Sequence, residues 1–157
     1  MAIHRARIFN QGVVEVSADK AWAYLTDWAG SKRQRRAGGM GELTLAQIVL
    51  EGGEDEIPRT RVMEFGAFGV VRETLLRQDD AAMHLYYNIE GVGPHGIRNY
   101  LATTDVDALS EHRCQITITA RFDLESADEL VKAKGLIDFA HNQAVIGSMR
   151  AYFAAKR

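Results

Sequence analysis

The sequence predicts an α+β fold in which one antiparallel sheet is covered by a long C-terminal helix. Six consecutive segments after Gly41 show the alternation and the turn residues that are typical of β-strands. The last stretch, Ala127 to Lys156, has no proline and only two glycines. No other predicted element is long enough to cover the apolar face of such a sheet.

The chain is predicted to begin with a strand and a capped helix. Arg7–Val16 is the strand, and Ser17 is the N-cap of a helix over the next ten residues, ADKAWAYLTD. Trp22 is spaced i, i+3 from Leu25 in this helix, so we expect it in the core. Residues 31–39 form either a second short helix or a loop. The basic run from Lys32 to Arg36 in that segment is either a solvated surface or a contact for an anionic substrate tail.

The six strands that follow are separated by short turns, which predicts a meander. In the last of them Cys114, Ile116 and Ile118 face one way, while Thr117 and Thr119 face the other. This alternation is typical of an antiparallel sheet with one face in water. The predicted strands are Glu42–Leu50, Pro58–Phe65, Val70–Arg77, Met83–Ile89, Arg98–Val106 and Arg113–Phe122.

The C-terminal helix is predicted to start at Ser126 or Asp128 as N-cap and to carry two apolar faces. Between the two faces lie polar residues that include Asp138, His141 and Asn142. Which face lines a cavity is left open. The small face contains Leu130, Ala133, Ile137, Ala140 and Ala144, and the bulky face contains Phe139, Ile146, Met149 and Phe153.

The amino-acid composition and the net charge limit the kinds of binding partner that we expect. The chain has 157 residues, 46% apolar and 25% charged, with a formal net charge of −2. We expect a single domain over residues 1–157, with no nucleic-acid or membrane partner, and the sequence is compatible with a homodimer. The lone Cys114 and the lack of an apolar leader segment favour the cytoplasm. Metal-ligand and phosphate-loop spacings are absent from the sequence, so we expect no metal and no cofactor.

Three strings of the sequence carry a family resemblance: VEVSADKAWAYLTDW at Val14–Trp28, RETLLRQDD at Arg72–Asp80 and the strand–loop–strand segment Leu85–Val106. They resemble the SRPBCC or START-like helix-grip superfamily, and most closely its polyketide cyclase/dehydratase-type branch. The chain departs from the family pattern at Ser17, where proline is common, and at Gly52–Arg61.

The resemblance implies a seven-stranded antiparallel sheet wrapped around the C-terminal helix, with an apolar cavity between them. Members of the superfamily bind lipids, hormones or polyketides there, and some catalyse cyclisation, dehydration or condensation.

Strand alternation predicts that a small polar set faces the same side as the apolar residues. It consists of Arg61, Glu73, Tyr87 and Tyr100, joined by His141 or Asn142 from the helix. A buried carboxylate is costly unless it is paired, so Arg61 and Glu73 are expected partners. His95 lies in a glycine- and proline-containing loop that would border the cavity entrance. The alternative is a structural ion pair, two ordinary core tyrosines and an exposed loop histidine.

This set suggests acid–base chemistry without a nucleophile. We expect Glu73, Tyr87 and His95 to be catalytic, and Arg61, Tyr100, His141 and Asn142 to bind substrate. The favoured function is a cofactor-independent lyase or cyclase acting on an aromatic or polyketide-like molecule. A non-catalytic carrier or sensor of an apolar ligand is the alternative, since a carrier needs only one or two orienting groups. An interaction module within a larger complex is a third hypothesis.

Overall fold

A computed structural model describes residues 2–30, 45–66 and 69–157. The strands are β1 (His4–Val14), β2 (Leu45–Glu51), β3 (Arg59–Phe65), β4 (Gly69–Asp79), β5 (His84–Ile89), β6 (Arg98–Ser110) and β7 (Arg113–Leu124). Helix α1 spans Ala18–Thr26, and a 3₁₀ turn at Pro94–Gly96 joins β5 to β6. The C-terminal helical segment consists of a 3₁₀ turn (Ala127–Glu129), α2 (Leu130–Phe139), a π-helical stretch (Ala140–Gly147) and α3 (Ser148–Ala154).

The seven strands form one antiparallel sheet in the order β1-β7-β6-β5-β4-β3-β2. The meander and the α+β helix-grip fold are therefore confirmed. The predicted inward residues of β7 are all buried, in agreement with their alternation. They are Cys114, Ile116, Ile118, Ala120 and Phe122.

Helix α1 begins where its cap predicts and covers one end of the sheet. The Ser17 hydroxyl accepts a hydrogen bond from the backbone N–H of Lys20 at 3.4 Å. Trp22 is buried as expected, and its Nε1 donates to a carboxylate oxygen of Asp80 at 2.9 Å. The first strand starts at His4, three residues before the predicted position. Residues 31–39, with the basic run, lie outside the described residues.

The C-terminal segment packs beside β1 and combines parts of both predicted faces. Ile137 from the small face and Ile146 from the bulky face are both buried. The buried positions His141 and Ile146 are five residues apart, a step that the π-helical stretch accommodates. Phe139 shares the predicted bulky face with Ile146 but is 37% exposed, so that face does not stay on one side of the segment.

Candidate functional site

An ion pair joins the two central residues of the predicted site. Arg61 on β3 and Glu73 on β4 are directly opposite in the strand register. Nε of Arg61 donates to Oε2 of Glu73 at 2.7 Å, and both side chains are only 13% exposed. The expected pairing of these two residues is therefore present, and it neutralises two charges that would be costly alone.

Trp28 closes one side of this ion pair. The guanidinium carbon of Arg61 lies 3.7 Å from the centroid of the Trp28 ring, a cation–π contact. Nη1 of Arg61 donates to the Trp28 carbonyl at 3.2 Å, and Nε1 of Trp28 donates to the Glu73 carbonyl at 3.1 Å. Sequence reasoning missed Trp28. A bulky aromatic directly after the end of a helix, in the short stretch DWAG, was the available signal.

Two tyrosines continue the cluster along the sheet. The Tyr87 ring on β5 lies 5.1 Å from the Trp28 ring and 6.0 Å from the Tyr100 ring on β6. Both tyrosines are buried. Burial raises the pKa of Tyr87 above its usual range, and the nearby Glu73 carboxylate raises it further. Burial, followed by the charges of Tyr87 and Glu73, also raises the pKa of Tyr100. Both hydroxyls therefore stay protonated near neutral pH and are able to donate.

His141 extends this row of polar groups into the C-terminal segment. Its Nε2 lies 2.7 Å from the hydroxyl oxygen of Tyr100. Burial lowers the pKa of His141 to about 4, and the positive charge of Arg61 adds to this shift. The imidazole is therefore neutral at pH 7. Within the described part of the chain, its buried Nδ1 has no hydrogen-bond partner.

The structure brings together five of the seven predicted residues, namely Arg61, Glu73, Tyr87, Tyr100 and His141. His95 belongs to another set of contacts. Its Nδ1 lies 3.0 Å from Oε2 of Glu129, which connects the β5–β6 turn to the start of the C-terminal segment.

Asn142 is exposed, so its expected position beside the cavity is wrong. Successive residues of a helical stretch point in different directions around its axis, so the neighbour of a buried residue is readily directed into solvent. His141 takes the buried position in this stretch.

Across the described ranges, no group of three or more His, Cys, Asp or Glu side chains is arranged to hold a metal ion. No helix within those ranges is long and apolar enough to cross a membrane.

A curved sheet that holds a buried polar cluster against a C-terminal helix defines a ligand-binding class of helix-grip proteins. The profile of the family described as "Polyketide cyclase / dehydrase and lipid transport" matches residues 6–153. The chain belongs to this family. The family description supports binding of an apolar small molecule. A search of curated protein sequences gives no match.

Solved structures with the same fold include norcoclaurine synthase from Thalictrum flavum, as a point mutant in complex with a transition-state analogue. That structure has a TM-score of 0.74 and 15% identity, and the match covers 100% of this chain and 99% of the enzyme. A protein from Thermobifida fusca matches with a TM-score of 0.70 and 21% identity, over 93% of this chain and 92% of its own. The protein XoxI from Bacillus cereus has a TM-score of 0.72 and 15% identity, over 97% and 99%. At these identities the likeness supports the fold.

Proposed function

We propose that this protein is a cofactor-independent enzyme of the lyase or cyclase type that acts on an aromatic or polyketide-like molecule. The observation that carries the proposal is the row of buried polar side chains from the Arg61–Glu73 pair to His141. A binding site that only orients an apolar ligand needs one or two such groups.

Glu73 is the proposed general base. Both of its contacts with Arg61 go to Oε2, and no hydrogen bond from a described residue reaches Oε1. This second oxygen is the one we assign to proton abstraction from a carbon next to a carbonyl, or from a phenol. Arg61 holds the carboxylate in place, and Trp28 holds Arg61.

Tyr87 and Tyr100 are the proposed donors to the substrate oxygen. When Glu73 removes the proton, negative charge develops on the enolate or phenolate oxygen of the substrate. Protonated tyrosine hydroxyls in a dry site stabilise that charge more than they stabilise the neutral substrate. The enolate carbon then bonds to a second carbonyl carbon of the substrate and closes a ring, or the enolate expels a β-hydroxyl group, and in either case the proton held by Glu73 passes to the oxygen that receives the electron pair. In this proposal the neutral His141 carries its proton on Nε2 and donates it to the Tyr100 oxygen, which leaves the Tyr100 hydroxyl proton for the substrate. We assign no step to His95.

The substrate class is supported by the family description and by one relative. A norcoclaurine synthase structure contains dopamine and hydroxybenzaldehyde, which are both aromatic, at 16% identity and a TM-score of 0.73 to this chain. Trp28, Tyr87 and Tyr100 provide aromatic surface beside the polar groups. A flat, oxygen-bearing ligand satisfies both features.

A carrier or sensor is the second candidate, and it is favoured by the ion pair itself. Arg61 neutralises Glu73, and a neutralised pair is suited to orienting a ligand without reacting with it. The two candidates differ in what happens to the ligand after binding.

Fluorescence and turnover together test the proposal. The chain has two tryptophans, so Trp22→Phe leaves Trp28 as the reporter of the site. Aromatic aldehydes, phenols and polyketide-like ketones are titrated into this variant, and ligands that change its emission are then incubated with the wild type to detect products. Glu73→Gln should keep binding and lower turnover by roughly 10²–10⁴-fold, the range for removal of an acid–base group.

Glu51→Gln is the matched control, because it removes a carboxylate that pairs with an arginine on the outer face of the sheet. Its turnover should equal that of the wild type. Binding without any product formation would favour the carrier, and full turnover by Glu73→Gln would show that the base lies elsewhere.

A further inference from the structure

A second cleft lies at the far end of the C-terminal segment. It has a volume of about 800 Å³ and is bounded by one face of α1, the β6–β7 turn and the end of α3. Phe153 lines it, twelve residues beyond His141 along the segment. None of the central residues Arg61, Glu73, Tyr87, Tyr100 and His141 lines the cleft, although Asp27, which does line it, directly precedes Trp28 in the chain. Its volume is within the range of small-molecule sites.

Three aromatic rings form the wall of this cleft. The Tyr24 ring from α1 lies 5.2 Å from the Tyr152 ring and 5.8 Å from the Phe153 ring, and Tyr152 and Phe153 meet edge to face at 5.0 Å. All three are only partly buried, so ring surface remains open to the cleft. Such a wall favours a planar, apolar ligand group over an aliphatic chain.

Cations surround this aromatic wall. The Lys156 ammonium lies 4.8 Å from the centroid of the Tyr152 ring, and Lys20 and Arg157 also line the cleft. Within the described part of the chain, neither lysine has a carboxylate at ion-pair distance. The guanidinium of Arg157 donates to the Glu15 carbonyl at 3.0 Å, which fixes its charge at the rim.

The acidic side chains of the cleft offset these cations only in part. Glu15 is paired with Arg113 at 3.1 Å, and Asp27 is buried with partners of its own. Glu111 is exposed at the turn. The charges that remain available to a ligand therefore have a positive excess.

We infer that this cleft binds a small aromatic anion, with the ring against Tyr24, Tyr152 and Phe153 and the carboxylate or sulfonate between Lys20 and Lys156. The inference is independent of the proposed function, because it uses none of the residues of the central cluster. It places a ligand site at the C-terminal end of the helical segment, beyond His141.

Titration with naphthoate, followed by ¹H–¹⁵N NMR, tests this inference. The amides of Tyr24, Tyr152 and Lys156 should shift in a saturable manner. The double variant K20Q/K156Q should weaken binding about 10- to 25-fold, since each rim charge contributes about a factor of three to five. Neutral naphthamide should bind the wild type about as weakly as naphthoate binds the double variant.

Lys134→Gln is the matched control, an exposed lysine on α2 that lies outside the cleft, and it should leave the affinity for naphthoate unchanged. Shifts confined to Tyr87, Tyr100 and His141 would place the ligand in the central cluster and overturn the inference. Equal affinity in the wild type and the double variant, or no saturation at millimolar naphthoate, would overturn it as well.

Discussion

Two arginine–glutamate contacts lie on opposite faces of the sheet, one joining β3 to β4 and the other joining β4 to β2, and they differ sharply in their surroundings. Arg61 pairs with Glu73 on the helix-facing side, where both side chains are 13% exposed. Arg72 precedes Glu73 in the chain and pairs with Glu51 on the outer side, where the side chains are 38% and 52% exposed. Consecutive residues of a strand point to opposite faces, so one step along β4 separates the two pairs.

The two ion pairs differ in how strongly water screens their charges. The outer charges remain solvated, and screening leaves them little mutual attraction. The inner charges have lost most of their water and depend on each other, on the Trp28 ring and on backbone carbonyls. An unpaired charge is therefore expensive only on the inner side, which is also where a charge can be used for chemistry.

Removal of one residue of the Arg61–Glu73 pair should give the largest loss of stability. Arg61→Met leaves the Glu73 carboxylate buried without its cation, and we expect a loss of about 3 kcal/mol in the free energy of unfolding. Urea denaturation of the wild type and the variant at pH 7 measures it.

The double variant R61M/E73L is the control for this loss. Replacement of a buried ion pair by apolar groups of similar volume is often neutral, so most of the lost stability should return. A single variant as stable as the wild type would show that the inner pair is as well solvated as the outer one.

The next largest effect is a loss of stability at low pH that is caused by His141. The pKa of this histidine falls from 6.5 in the unfolded chain to about 4 in the folded protein. Between pH 6.5 and pH 4, His141 is protonated in the unfolded state but not in the folded state. The free energy of unfolding therefore falls as the pH falls from 6.5 toward 4. Between pH 7 and pH 5 the expected loss is about 2 kcal/mol.

Comparison with His141→Gln isolates this contribution, because the other histidines are present in both proteins. The wild type should lose about 2 kcal/mol more than the variant between pH 7 and pH 5, as measured by urea denaturation at each pH. The outer carboxylates Glu51 and Glu90, whose pKa values are lowered by hydrogen bonds from Arg72, are present in both proteins, so their contribution cancels in the comparison. Equal losses in the two proteins would mean that water reaches His141.

Much of the inner side could be predicted from the sequence because strand alternation has a fixed period of two. That rule placed Arg61, Glu73, Tyr87 and Tyr100 on one face of the sheet. The pairing of Arg61 with Glu73 followed from the cost of a lone buried charge. Trp28 was not predictable by such a rule, since its position depends on how the chain turns after α1.

The helix contribution was harder to predict for a similar reason. A π-helical stretch changes the period at Ala140–Gly147, so neither predicted face corresponds to the buried one. Sequence reasoning therefore left His141 and Asn142 as equals, whereas packing buries the first and exposes the second.

A smaller loss of stability is expected when Trp28, which packs against Arg61, is replaced. Trp28→Phe keeps a ring beside Arg61 but removes the 3.1 Å hydrogen bond from Nε1 to the Glu73 carbonyl. The loss should be about 1 kcal/mol, the usual net value of one hydrogen bond. Thermal unfolding followed by circular dichroism measures it, and a loss as large as that of Arg61→Met would show that the indole also supports the ion pair.

The smallest effect should come from the outer pair, and its salt dependence should distinguish it from the inner one. Arg72 donates to Glu51 and to Glu90, so Arg72→Gln removes two ion pairs at once. Because all three side chains are well exposed, the loss of stability should be smaller than for Arg61→Met or Trp28→Phe, and added salt should abolish it by screening the wild-type contacts. Urea denaturation of wild type, Arg72→Gln and Arg61→Met at low and high sodium chloride makes the comparison in one experiment. The Arg61→Met loss should persist at high salt, since salt ions do not enter the space between the sheet and the helix. If salt reduces both losses equally, the two faces of the sheet are electrostatically alike, and the low-dielectric environment that the proposed chemistry requires is absent.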